Sequence, residues 1–237
     1  MCGRFTLRTP LKDVVELFDL APTELDGATS TSARYNIAPS QAVAAVRFDA
    51  QRNARTLAWL QWGLIPSWAD DPAIGSRMIN ARGETVATKP AFRDAFRHRR
   101  CLLPADGFFE WQRRDGSKLP YYIRLKDDRP FAFAGLWEHW QHGQLAIDSC
   151  TIITTDANEL LRPLHDRMPV ILDSAHFARW LDPEVQDRGL LAPLLTSYPA
   201  ARLTAYPVDR IVNSPRFDSP ECIAPAAPGK TQGSLFD

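Results

Sequence analysis

The four cysteines of this 237-residue chain, Cys2, Cys101, Cys150 and Cys222, are scattered, with no C-x-x-C pair among them. Such spacing excludes the usual zinc-ligand patterns and a disulfide framework, so neither a metal nor a cofactor is expected. Also lacking is an apolar run of the roughly 20 residues a membrane span needs. The start has none of the basic-then-apolar layout of a secretory leader. An intracellular, cytoplasmic protein with no membrane partner is expected. Net charge is absent too, because 28 Lys and Arg balance 28 Asp and Glu. That argues against a histone-like coating of nucleic acid but not against a local basic cleft, since steering depends on where the charge sits. What is left, 45% hydrophobic and 24% charged residues, describes an ordinary globular composition, of a length that one core can fill.

The chain begins Met1-Cys2-Gly3-Arg4-Phe5. Loss of Met1 would make Cys2 the terminus, with a free α-amine and a thiol on one residue. Reference values near 8 and about 8.5 leave both nucleophiles partly available at neutral pH. With an aldehyde, such a 1,2-aminothiol forms an imine and then a five-membered thiazolidine. With an amide, the thiol attacks while the amine serves as base. The pentapeptide alone also admits an incidental cysteine.

Along the chain, Thr9-Pro10 reads as a helix start, and Leu11, Val14, Val15 and Phe18 recur at helical spacing, predicting a helix over 10–20. Residues 24–34 read as a surface loop, and 42–48 and 56–63 as strands. The stretch from Trp62-Gly63 to Trp68 predicts an irregular loop. Trp68 is either a packing residue or a wedge that stacks on unpaired bases. Between Arg77 and Arg100, seven Lys or Arg stand against two acids, interleaved with Asn80, Phe92 and Phe96. This is either a solvated face or a phosphate-tracking groove. A helix is predicted from about Pro90 and a buried strand at 101–105. Glu110 lies among aromatics in Phe108-Phe109-Glu110-Trp111. It either faces solvent by alternation or is buried with a raised pKa. Strands are predicted at 121–125, 130–137, 145–154 and 203–208, with short helices at 158–162 and from Ser174. His165, between a helix end and a strand and next to Asp166 and Arg167, is either structural or a proton-transfer group.

Six segments together resemble one family, the SRAP (SOS-response-associated peptidase) proteins, which shield abasic sites in single-stranded DNA. They are Cys2-Gly3-Arg4-Phe5, Arg34-Tyr35-Asn36-Ile37-Ala38-Pro39, Trp62-Gly63 with Pro66, Ile79-Asn80-Ala81-Arg82 with Glu84-Thr85, Gly107-Phe108-Phe109-Glu110-Trp111, and His165-Asp166-Arg167-Met168-Pro169. The resemblance implies an α+β fold with a mostly antiparallel, barrel-like sheet and flanking helices. It implies that Cys2, freed of Met1, forms a thiazolidine with the open-chain aldehyde of an abasic sugar. Glu110 and His165 would be the acid–base groups, and Asn80 would orient the sugar and Cys2. Contacts to DNA would come from Arg4, Asn36, Pro39, Trp68, Arg77, Arg82 and Arg167, with a strand-cleaving lyase reaction through the imine as a companion activity. The rival reading is a glutamine amidotransferase, which also begins Met-Cys-Gly but leaves Glu110 and His165 without work. A third is a non-covalent single-strand-binding module.

The match ends near Cys222, so residues 1–222 are expected to form the domain, acting as a monomer, and 223–237 a flexible tail. The tail closes Gln232-Gly233-Ser234-Leu235-Phe236-Asp237. Its Gln-x-x-Leu-Phe pattern is similar to peptides that dock bacterial replicative sliding clamps. Either a clamp partner docks there, or the tail has no partner or folds back on the domain.

Overall fold

The computed structural model describes residues 2–21, 32–114 and 116–226. Among the described residues, thirteen strands form two sheets. The first runs through β1 (Phe5–Leu7), β2 (Arg34–Ile37), β7 (Gly107–Arg114), β8 (Ser117–Leu125) and β13 (Leu203–Pro207). It is antiparallel throughout, in the order β13-β8-β7-β1-β2. The second contains β3 (Ala42–Asp49), β4 (Ala54–Trp62), β6 (Arg100–Ala105), β9 (Phe131–His142) and β10 (Leu145–Asp156). These five close on themselves: β10 pairs with β4 at one end of the run and with β9 at the other. The result is a small barrel, with only the β4–β10 contact parallel among its five pairings. β5 (Asn80–Arg82) and β11 (Arg167–Pro169) extend it alongside β10, and β12 (Ile171–Leu172) alongside β9. The mixed, mainly antiparallel, barrel-like architecture is the one the resemblance implies.

Closure removes free strand edges and leaves an inner face of Val, Leu, Ala and Phe in the main core. The sheets meet through aromatic rings. Phe5 lies 5.2 Å from Trp62 and 5.7 Å from Phe133, and Phe108 lies 6.0 Å from Phe133, with edge-on geometry in each case. Edge-to-face pairs of this kind add to the burial of large apolar area. They pin β1, and with it the preceding Cys2, between the two sheets. Gly107 is required where it stands, because a Cβ there would overlap the phenol of Tyr122. That hydroxyl lies 2.8 Å from Thr6 Oγ1 and ties β8 to β1.

Helices are short and peripheral: α1 (Leu11–Leu17), α2 (Arg93–His98), α3 (Phe177–Leu181) and α4 (Arg188–Leu191). Several differ from expectation. α1 is capped by Pro10 without a side-chain bond, because Thr9 instead donates to the buried Asp106 from both its hydroxyl and its backbone N–H. The segment 158–162 forms hydrogen-bonded turns rather than a helix. Ser174 opens a 3-10 turn preceded by Asp173, not an α-helix that it caps. The chain also stays packed beyond Pro220: Cys222 is buried and Ala226 N–H bonds Pro207 O. The expected clamp-binding residues Gln232 to Phe236 lie outside the described residues.

Candidate active site and nucleic-acid interface

Cys2, Asn80, Glu110 and His165 converge although they come from four separate parts of the chain. Cys2 enters just ahead of β1, and Asn80, the first residue of β5, donates from Nδ2 to Cys2 O at 2.8 Å. Asn80 Oδ1 is buried and has no partner among the described residues, an acceptor left over in the site. Glu110 sits on β7, and strand alternation turns it the same way as Phe108, toward the barrel. Phe109 and Trp111 turn the other way, into a small second cluster with Tyr122, Val208, Val212 and Cys222. Glu110 is therefore buried rather than facing solvent. Burial raises its pKa, opposed by positive charge at the chain's amino terminus and at His165.

The thiol of Cys2 has no exposed surface. Burial, helped by the neighbouring Glu110 carboxylate, pushes its pKa up. The sequence leaves the thiol's reference value unperturbed; in the fold, burial instead disfavours its thiolate. His165 closes the set from the turn before β11. Its Nδ1 accepts from Arg167 N–H at 3.0 Å and lies 2.7 Å from Asp166 Oδ1. The two contacts select different protonation states. The amide contact requires a lone pair on Nδ1 and so a neutral ring protonated at Nε2, whereas the carboxylate contact suits an imidazolium. Asp166 is largely exposed, where water screens its contact with the ring.

Glu110, His165, Gly3, Arg4 and Pro39 line one open cavity of about 610 Å³, together with Trp111, Arg113, Lys118 and Asn213. Trp111 stood in the sequence only as a motif residue beside Glu110, and the last three of these, Arg113, Lys118 and Asn213, were not singled out. A basic hairpin around Asp115-Gly116 was legible for Arg113 and Lys118, while nothing local marks Asn213. Trp111 Nε1 donates to Asn213 Oδ1 at 2.8 Å and fixes that rim.

The expected DNA contacts divide into two groups. Trp68 is 59% exposed on a turn closed by Ala69 N–H to Pro66 O, and Trp140 Nε1 anchors that turn through Ala69 O at 2.6 Å. Its loop is seated by Gly63, whose φ of +130° few side chains adopt and whose absent Cβ would lie 2.6 Å from Gly75 O. Arg77 and Arg82 are exposed. Pro39 is half-buried at the cavity wall.

Asn36, Arg4 and Arg167 are instead occupied within the protein. Asn36 is fully buried, and its amide donates to the carbonyls of Val212, Ser214 and Phe217 while Oδ1 accepts from Arg4. Arg4 also donates to Val212 O and Asn213 O. Arg167 pairs with both Glu84 oxygens, with Asp156 and with Thr154 O, and this pairing holds the Glu84 carboxyl below its usual range. Their side chains brace the site, because a guanidinium already bound to carboxylates or carbonyls has few donors left for phosphate.

The basic stretch is thinner than its composition suggests. Arg100 is buried on five backbone carbonyls and Arg99 pairs with Glu138 at 2.8 Å. Phe96 is a core residue against Trp180 and Phe92 packs onto the same core. Neither offers a stacking platform.

Residues 1–215 match the family model described as SOS response associated peptidase (SRAP). The chain is 46% identical over 225 residues to the abasic site processing protein YoaM of Bacillus subtilis, covering 94% of this chain and 97% of that protein. It is 35% identical over 201 residues to the abasic site processing protein HMCES of Xenopus tropicalis, covering 74% of this chain and 59% of that one. Among solved structures, a protein from Bacteroides thetaiotaomicron superposes with a TM-score of 0.84 at 25% identity, over 95% of this chain and 100% of the other.

Proposed function

The chain belongs to the SOS response associated peptidase family, and from that membership we propose that it captures abasic sites in single-stranded DNA through a covalent bond to Cys2. The observation that carries this reading is a buried thiol beside a buried carboxyl, with an amide holding the same residue's carbonyl. In the free sugar the reactive aldehyde is masked as a ring. His165 moves a proton from the anomeric hydroxyl to the ring oxygen as that ring opens. The α-amine of Cys2, released by loss of Met1, adds to the aldehyde to give a carbinolamine. Glu110, whose burial favours the neutral carboxyl, donates to the carbinolamine hydroxyl, which leaves as water and gives a protonated imine. The thiol sulfur then adds to the imine carbon, and its proton returns to the Glu110 carboxylate. One water is lost, one C–N and one C–S bond form, and Glu110 ends as it began. A protonated thiol suits this order, since a proton must leave sulfur at the step that closes the ring.

Asn80 keeps the Cys2 carbonyl turned away from the reacting atoms, and its spare Oδ1 accepts from a sugar hydroxyl. Single-stranded DNA is the substrate because the aldehyde must reach a thiol buried between two sheets and the flanking bases must meet Trp68. The peptidase of the family's description fits removal of Met1. The imine also acidifies the adjacent sugar carbon, so strand cleavage competes wherever sulfur fails to close. The protein acts as a monomer, one chain supplying every group of the site. The terminal Gln232–Phe236 segment tethers it to a sliding clamp, Leu235 and Phe236 filling an apolar pocket.

The test is incubation with an oligonucleotide carrying one abasic site, followed by denaturing electrophoresis. Wild type should give a heat-stable adduct. Cys2→Ser should give only a reversible imine, trapped by borohydride. A protein whose amine is blocked by an N-terminal tag should give neither, and a stable adduct from that tagged protein would overturn the mechanism.

A further inference from the structure

Arg113 and Lys118 face each other directly across the β7–β8 hairpin, as Cα partners in register. Like charges placed opposite on neighbouring strands repel. Both side chains are exposed and neither forms an ion pair with a described residue. The hairpin's sequence, Arg113 to Lys118, carries three bases against one acid, Asp115. This unfavourable rung borders the same open cavity as Glu110 and His165, at the hairpin end of β7 and on the strand face that carries Trp111 rather than Glu110. The one carboxyl lining that cavity is Glu110, which burial biases toward its neutral form. Arg4, also on the wall, is largely consumed by the carbonyls of Val212 and Asn213. The wall thus presents two cations with no ion pair to a described residue, and their mutual repulsion does not stabilise the hairpin bearing them. Arg77 and Arg82, in contrast, precede and belong to β5 of the barrel system, on the other sheet.

We propose that the Arg113–Lys118 rung is a second phosphate-binding lip, gripping the DNA strand on the side of the lesion opposite to Arg77, Arg82 and Trp68. This rests on the reading that the site takes single-stranded DNA. The abasic sugar then lies between two grips, one on each sheet, and the strand must continue on both sides of it to engage fully. Repulsion across the rung is relieved when a phosphate sits between the two cations.

The experiment measures binding of fluorescein-labelled oligonucleotides by anisotropy, at several salt concentrations. The oligonucleotides carry a tetrahydrofuran abasic analogue, which has no aldehyde, so the reading is independent of Cys2 chemistry. Three are used: one with nucleotides on both sides of the analogue, one with a 5′ flank only and one with a 3′ flank only. With both flanks, Arg113→Gln/Lys118→Gln should raise the Kd about 5- to 30-fold and shrink the log–log salt slope by about 1.4, two single-strand phosphate contacts. On one of the single-flank oligonucleotides, wild type and variant should bind alike. Arg77→Gln/Arg82→Gln should show its loss on the other flank. The melting temperature of the hairpin variant should be unchanged or higher, since it removes a repulsion. Equal affinity and slope for wild type and variant would overturn the lip, as would equal losses on both single-flank oligonucleotides. Wild-type binding without any adduct on true abasic DNA would overturn the covalent reading and leave the lip to be judged on its slopes. A wild type that binds none of the three would overturn both.

Discussion

Burial of the Cys2 thiol beside Glu110 disfavours its thiolate, so the capture proposed for Cys2 calls for a partner that can take its proton. Glu110→Gln keeps the shape and removes that partner. Adduct formation should slow by roughly 10²-fold or more, in the range of a general acid–base group. His165→Ala should also slow the step, chiefly with ring-closed sugar. Wild-type rates in both variants would return these residues to structural roles. Glu110 also predicts a pH dependence of stability. Its folded pKa is raised by burial, so its contribution is complete below the ordinary carboxylate pKa and is lost as pH rises through the raised value. Glu110→Gln cannot ionise. Its melting temperature should gain on wild type as the pH climbs from about 4, the ordinary carboxylate range, toward neutrality. A melting-temperature difference that stays flat across that range would contradict the burial argument.

Among the elements, the loop 63–69 and the segment 210–218 matter most, and they are held differently. The first presents Trp68 on a scaffold of Gly63 against Gly75 and Trp140 on Ala69. Trp68→Ala should leave the melting temperature unchanged. It should weaken single-strand binding about 10- to 100-fold, the loss of roughly 1–3 kcal/mol of base stacking. Equal binding by anisotropy would make Trp68 a bystander. The second segment closes one rim of the cavity and is latched from β2. Asn36 binds three of its carbonyls, and Asp218 accepts from Arg34 Nε and from the Tyr35 and Asn36 amides. Asn36→Ala would leave several buried groups unpaired. The expected cost is about 3 kcal/mol, or roughly 6–12 °C in melting temperature for a domain of this size. A drop under 2 °C, read by calorimetry, would show that the latch is not structural.

For the molecule as a whole, the site is a seam. Cys2 and Glu110 come with the open sheet, Asn80 and the strand after His165 with the barrel system, and the Phe5, Trp62, Phe108 and Phe133 cluster sets their separation. Charge divides by the same logic. Arg167 is braced between Glu84 and Asp156, while Arg77 and Arg82 are exposed at the surface. Arg167→Ala should therefore lower the melting temperature and leave the salt slope of DNA binding little changed. Arg77→Gln/Arg82→Gln should do the reverse, cutting the slope by about 1.4. If Arg167→Ala cuts the slope by as much, its guanidinium leaves the acids for phosphate when DNA binds.

Local pattern was enough for much of this. The strands announced themselves by apolar runs between turn signals, and the chemistry of Cys2 followed from its place next to Met1. The set Cys2, Asn80, Glu110 and His165 could be named from short motifs, each local in sequence. What those motifs could not carry was every property that depends on neighbours from elsewhere in the chain. Alternation along β7 leaves two faces for Glu110, and only the packing of Phe108 against Phe133 decides which one is buried. An asparagine and two arginines within the short motifs read as DNA contacts, yet Asn36, Arg4 and Arg167 find their partners up to 209 residues away. Whether a polar side chain is free for a ligand is settled by which carbonyls and carboxylates the fold brings to it, and hydrogen bonds across such separations leave no local trace in the sequence.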